Sequence, residues 1–299
     1  MTDRPQPPRF TLPEQPDYAA LLPRGLTEPP AVQVLPDTRS HLGIVFDSPD
    51  GNRPLRLDLH LPAHGHGLHP VVLYAHGGSF VGGVPGYGPW HTLPARGIAV
   101  ASVGYRLAAE AAFPAQIEDL HRALRWLVRH ADAYALDPDR LAGWGSSAGG
   151  FLMTMMAASH RTPALRAVVN HYGPGPLASL AAALRTQGQP APALSPQERG
   201  LLRRFFGFDP ETDLKAVTLA DPVHASDEGM PPVLIVHGDR DDRVDVSSSA
   251  HLHKGLLDAG VHAVLVVLPG QGHAAPVFFG EEEVDRAVGF LRAAWREPG

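Results

Sequence analysis

Leu55, Leu57, Leu59 and Leu61 alternate with Arg56, Asp58 and His60. That period of two predicts a strand with one face on a core and the other toward solvent. Ser48-Pro49-Asp50-Gly51-Asn52 separates it from an earlier apolar run, Gly43–Asp47, and is rich in turn formers, so the two runs are expected to pair as an antiparallel hairpin. Five later runs are apolar almost throughout: Val71–Ala75, Ile98–Val103, Ala167–Val169, Val233–Val236 and Val264–Leu268. A strand reads this way when both of its faces are covered, as in a parallel sheet.

Helix-period segments lie between these runs. From Gln116 to Tyr134, the residues Ile117, Leu120, Leu124, Leu127, Val128 and Ala131 recur at three- and four-residue steps, with Pro114 near the start where a first turn tolerates it. Phe151–Ala158, Ser248–Ala259 and Glu281–Trp295 are predicted as further helices, the last two amphipathic. Buried strands alternating with helices define an α/β fold around a mostly parallel sheet. Two stretches break the rhythm. Residues 1–38 are proline-rich with little periodicity and are expected to form an extended arm. Residues 174–230 contain no buried strand and read as a short lid or cap inserted into one domain covering 39–299.

Composition narrows the function. Apolar residues make up 44% of the 299, enough for a sizeable core. A formal charge of −6 without a basic run gives no support for nucleic-acid binding. With no cysteine there is no thiol chemistry and no cysteine-ligated metal. No apolar run approaches the length of a spanning helix, and the N-terminal residues lack the apolar stretch of a secretory signal. A soluble, cytoplasmic protein that binds no membrane is the expectation. His64, His66 and His69 crowd one Gly/Pro-rich segment, which reads as a solvated loop, so neither metal nor cofactor is expected.

The chemistry centres on Gly145-Ser146-Ser147-Ala148-Gly149-Gly150, which places Ser147 in a Gly-x-Ser-x-Gly frame between an apolar run and a helical one. A serine there sits on a sharp strand-to-helix turn, with glycines leaving room for the turn and helix N–H groups facing an oxyanion. In a glycine-rich chain the frame alone is only suggestive, so its partners matter. Ligands of a parallel sheet bind at the carboxyl ends of its strands. After Val71–Ala75 comes His76-Gly77-Gly78-Ser79-Phe80, whose backbone N–H groups could pair with that of Ala148 as an oxyanion hole. After Val233–Val236 come four acids, Asp239, Asp241, Asp242 and Asp245, among which composition does not choose. After Val264–Leu268 comes His273, a candidate base. The order serine, acid, histidine is that of hydrolases with an elbow serine.

Taken together, Tyr74-Ala75-His76-Gly77-Gly78, Gly104-Tyr105-Arg106-Leu107, Phe113-Pro114, Glu118-Asp119, Asp137-Pro138-Asp139-Arg140, the serine segment, His237-Gly238-Asp239-Arg240-Asp241 and Gly272-His273 resemble the α/β-hydrolase serine carboxylesterases of the hormone-sensitive-lipase-like and feruloyl/acetyl-esterase-like group, over residues 42–296. The resemblance implies an eight-stranded, mostly parallel sheet and hydrolysis of small to medium acyl esters. It implies Ser147, Asp241 and His273 as the triad and Gly77, Gly78 and Ala148 as oxyanion donors. Ser79 departs from the group, standing where a third glycine is usual, and Ala109 stands where proline is common. Phe80, Tyr87 and Trp90 follow buried strands and are expected to line an apolar pocket; Phe113 fits a core equally well. The same triad would serve an amide or arylformamide, or a short peptide. A hydrolase-fold binding protein would be expected to have lost a triad member. The proline-rich arm leaves room for a homodimer.

Overall fold

The computed structural model describes residues 24–65, 67–159, 165–175, 196–209, 213, 217–218 and 220–296. Eight strands form one sheet: β1 (Thr38–Asp47), β2 (Leu55–Pro62), β3 (His69–Ala75), β4 (Ala99–Val103), β5 (Leu136–Ser146), β6 (Val168–His171), β7 (Val233–Gly238) and β8 (Ala263–Leu268), in the order β1-β2-β4-β3-β5-β6-β7-β8. β2 runs antiparallel to both β1 and β4, and every later pairing is parallel. The helices that concern the site are α1 (Ala115–Arg129), α2 (Ala148–Ala158), α3 (Pro196–Phe206), α4 (Val246–Asp258) and α5 (Glu281–Ala294). The predicted hairpin is β1 and β2, with Leu57 opposite Ile44 and Leu59 opposite His41.

Two buried clusters cover the two faces of the sheet. Leu55, Leu57, Leu73 and Ala101 join α1, α2 and Leu202 and Phe205 of α3 in one, while Val72, Tyr74, Trp144 and Val236 join Val284, Val288 and Leu291 of α5 in the other. The continuous apolar runs arise from this double covering, since successive side chains of a strand point to opposite faces and here both faces are dry.

Four expectations need correction. β8 is not buried on both faces: it is the last strand of the sheet, and Val267 is 42% exposed. The alternation of β2 fails at His60, which is buried, stacked on Trp90 at 4.4 Å and hydrogen-bonded through Nδ1 to Ser40 Oγ at 2.9 Å. Burial pushes the His60 ring down to about 4, so it sits there uncharged. The helix read from Gln116 to Tyr134 breaks at His130, whose Nδ1 donates to Trp126 O at 2.8 Å and competes for the carbonyl, leaving only a short turn at Ala131–Tyr134. Trp90, expected in a pocket, is 2% exposed and belongs to the core cluster beside α5. Residues 1–23 of the proline-rich arm, and residues 176–195, 210–212, 214–216 and 219 of the inserted segment, lie outside the described residues.

Candidate active site

Ser147 is the single residue between the end of β5 and the start of α2, with φ 53° and ψ −122°. A non-glycine residue at positive φ is strained and persists only where its surroundings enforce it. Here Ser147 N donates to His171 O on β6 at 2.8 Å, and Phe151 N of α2 donates to Ser147 O at 3.2 Å. The flanking glycines permit the turn by close approach. A Cβ on Gly145 would lie 2.1 Å from Gly149 O, and one on Gly149 would lie 2.0 Å from Ala75 O. Asn170 completes the brace, accepting from Gly173 N at 2.9 Å through Oδ1 and donating to Thr154 Oγ1 at 3.1 Å.

Gly149→Ala therefore forces backbone apart at the elbow and is expected to cost about 3 kcal/mol, the upper range for overpacking a core. Melting should fall by roughly 6–12 °C for a chain of this size, with loss of activity in the fraction still folded. Gly289→Ala in α5, where an added Cβ meets nothing within 4 Å, is the matched control and should be neutral or slightly stabilising. Thermal unfolding of the two variants side by side checks this.

The loop after β3 lies against the serine. A Cβ on Gly77 would stand 3.0 Å from Ser146 O and 3.2 Å from Ser147 Cβ. His76 anchors the loop: its ring stacks on Tyr105 at 4.5 Å, Nδ1 donates to Gly77 O at 2.7 Å, and Tyr105 OH donates to His76 O at 2.8 Å. Gly78 adopts φ 125° and its carbonyl accepts from Val81 N and Gly82 N, both at 3.0 Å. Ser79 takes φ 54°, so the left-handed conformation that a third glycine would supply is present despite the side chain. Ala148 opens α2, where the first N–H groups have no partner inside the helix. Below the loop, Arg106 and Asp119 form a buried, doubly bonded ion pair, with Nε to Oδ2 at 2.8 Å and Nη2 to Oδ1 at 2.7 Å. It ties the segment after β4 to α1.

The loop after β7 separates its four acids. Asp239 accepts from Gly270 N at 2.6 Å, Asp245 caps α4 by accepting from Ser247 N at 2.8 Å, and Asp242 is exposed. Asp241 turns inward. Its Oδ1 accepts from Arg243 N and Val244 N, both at 2.9 Å, and its Oδ2 accepts from His273 Nδ1 at 2.7 Å. Burial pushes the Asp241 carboxyl up, but the N–H groups of Val244 and Arg243 and the His273 ring outweigh it and hold it below the ordinary carboxylate range. His273 in turn reaches Ser147 Oγ through Nε2 at 3.0 Å. With Nδ1–H given to the carboxylate, Nε2 carries the lone pair and accepts the serine proton. The β7 and β8 loops are locked together, for a Cβ on Gly238 would meet Gln271 O at 2.1 Å, and Arg240 N donates to that carbonyl at 2.9 Å.

Around this relay, Phe80 is 3% exposed and stacks on Phe205 of α3 at 4.0 Å, whereas Tyr87 is 60% exposed with its ring 5.4 Å from Phe279. Sequence reasoning passed over Tyr172, whose ring meets His273 edge-on at 4.9 Å, and over His237, which touches Asp241. Tyr172 follows a buried strand, a signal that could have singled it out; its hydroxyl is pushed up to about 12, chiefly by burial. A separate cavity of about 450 Å³, bordered by His64, His69, Arg96, Arg140, Arg292 and Trp295, opens at the amino ends of the strands, away from Ser147. Burial and the nearby Arg39 and Arg140 push the His69 ring down, and such positive neighbours work against a cation there.

The strand order, the antiparallel second strand and a serine on the turn after the fifth strand define an α/β-hydrolase. Residues 57–256 match the BD-FAE family model. "Carboxylesterase NlhH" of Mycobacterium tuberculosis is 32% identical over 280 residues, spanning 89% of this chain and 84% of that protein. "Ethyl acetate hydrolase" of Pseudomonas putida is 41% identical over 90 residues, 29% of this chain and 28% of its own. Among solved structures, a truncated carbohydrate esterase from gut microbiota superposes with a TM-score of 0.75 at 24% identity, covering 86% of this chain and 96% of the other, a likeness of fold. The chain belongs to the BD-FAE family, within the hormone-sensitive-lipase-like α/β-hydrolase esterases.

Proposed function

We propose that Ser147, His273 and Asp241 are nucleophile, base and orienting acid of a carboxylesterase acting on small to medium acyl esters. The observation that carries this reading is the continuous relay from Ser147 Oγ through His273 to Asp241, at 3.0 Å and 2.7 Å. Ser147 Oγ attacks the ester carbonyl while its proton passes to His273 Nε2, and Asp241 stabilises the resulting imidazolium. The backbone N–H groups of Gly77, Gly78 and Ala148 hold the tetrahedral oxyanion, each such donor contributing about 2.7–4 kcal/mol by comparison with measured oxyanion donors. Collapse expels the alcohol, which takes the proton from His273. Water then attacks the acyl-serine, with His273 as base again, releasing the acid and restoring Ser147.

Phe80, expected to line a pocket, is 3% exposed, stacks on Phe205 and belongs to the core as Trp90 does. The preference for short acyl groups is proposed in keeping with a relative called ethyl acetate hydrolase. The exposure of Tyr87, with its ring beside Phe279, supports the reading that it meets incoming substrate. No described helix is long and apolar enough to cross a membrane, and we place the reaction in the cytoplasm on water-soluble esters. The test is turnover of p-nitrophenyl esters with acyl chains of about two to twelve carbons, alongside fluorophosphonate labelling mapped by mass spectrometry. Short-chain preference with the label on Ser147 is expected. Labelling elsewhere, or faster turnover of matched formamides than of esters, would replace this reading.

A further inference from the structure

Asp241 is approached from two sides by histidines. His273 donates to Oδ2 from the β8 loop, and His237, the penultimate residue of β7, stands 3.1 Å from the same oxygen through Nε2. His237 is fully buried and takes no part in the reaction derived above. Its Nε2 also lies 2.8 Å from Val244 O. A carbonyl and a carboxylate are both acceptors, so Nε2 must carry the proton and share it between them. Burial pushes the ring toward the neutral form, against the opposing pull of Val244 O and Asp241. A neutral ring protonated on Nε2 has a bare Nδ1, and Ser249 Oγ of α4 lies 2.6 Å from it as donor. Ser249 is itself fully buried, so its hydroxyl holds the tautomer.

We infer that His237, oriented by Ser249, is a positioning residue for the triad acid, supplying a fourth polar contact to the Asp241 carboxylate on the same oxygen that His273 engages. The inference rests on the triad reading. With Arg243 N and Val244 N on Oδ1 and two histidines on Oδ2, the carboxylate has no freedom to rotate away from the base. A neutral donor also draws carboxylate charge off His273. The groups that bear on this pair are Asp241 and Asp245 on the β7 loop, Ser249 on α4, His273 on the β8 loop and Tyr172 after β6. Removing His237 thus has two separable effects. The base loses its fixed orientation, and the unshared carboxylate charge stabilises the imidazolium more strongly.

The experiment compares His237→Ala, His237→Gln, Ser249→Ala and Asp241→Asn on p-nitrophenyl acetate across pH, with melting temperature recorded for each. His237→Ala should lower kcat about 10–100-fold, the range expected for losing a hydrogen bond to a charged group. KM should stay within about twofold, because no substrate contact is removed. The acid limb of kcat/KM should move to higher pH. The glutamine amide reaches the place of Nε2, so His237→Gln should recover most of kcat and the original limb. If His237→Ala does not fold, Ser249→Ala carries the test, with a smaller loss of kcat and a limb displaced in the same direction. A wild-type limb and kcat in the folded alanine variants, or a glutamine variant no better than alanine, overturns the inference while inactive Asp241→Asn leaves the triad standing. An active Asp241→Asn overturns both.

Discussion

Ser147→Ala is expected to lower kcat by about 10⁶-fold, the loss seen when a serine hydrolase of another fold loses its nucleophile, with KM little changed. Only Oγ is removed. The backbone bonds that hold the elbow, Ser147 N to His171 O and Phe151 N to Ser147 O, use main-chain atoms and survive. Alanine meets the same positive φ that the serine already tolerates, so the variant should melt within a degree or two of the parent. Turnover of p-nitrophenyl acetate by the purified variant, with its melting curve, is the measurement. Retention of more than about one per cent of activity would remove Ser147 from the mechanism, since oxyanion donors alone leave only about 10³–10⁴-fold over water.

Asp241→Asn should cost about 10⁴-fold in kcat, and the hydrogen bonds around the carboxylate say why. Oδ1 accepts from two backbone N–H groups, Arg243 and Val244, so the asparagine carbonyl must occupy that side. Its NH2 then faces His273 Nδ1, donor against donor. The ring escapes the clash by moving its proton to Nε2, where it can no longer accept from Ser147. Substrate binding is untouched, so the loss should appear in kcat and not in KM. A loss below about tenfold would mean that another acid orients His273.

Asp241 also links stability to pH. Its carboxyl is held below its ordinary value in the folded state, so the stabilisation is fully present above the unfolded value near 3.9 and is lost as pH falls through the lower folded value. Below about pH 4 the parent should lose melting temperature faster than Asp241→Asn, which carries no proton to take up there.

The elements were legible wherever the evidence was local. The hairpin of β1 and β2 followed from alternation and a turn-forming segment, and the parallel core from unbroken apolar runs. The elbow was legible because two glycines must flank a turn so tight that Cβ atoms would meet backbone near 2 Å. Reading failed where a side chain's fate depends on what stands beside it. His60 looked like the polar half of an alternation, yet Trp90 and Ser40 enclose it from distant parts of the chain. Trp90 looked available to a pocket for the same reason. Val264–Leu268 is as apolar as the inner strands, and only the strand order makes it an edge.

By itself the sequence determined the α/β order, the serine on its turn and the loops from which donors, acid and base must come, because hydrophobic period and turn chemistry act over a few residues. Composition left Asp239, Asp241, Asp242 and Asp245 open and the family resemblance pointed to Asp241; only the tertiary structure shows its carboxylate turned toward His273, with a second histidine behind it. These partners are 32 and 126 residues apart along the chain in the two links of the relay, and contacts at that range depend on how the sheet brings its loops together, not on spacing.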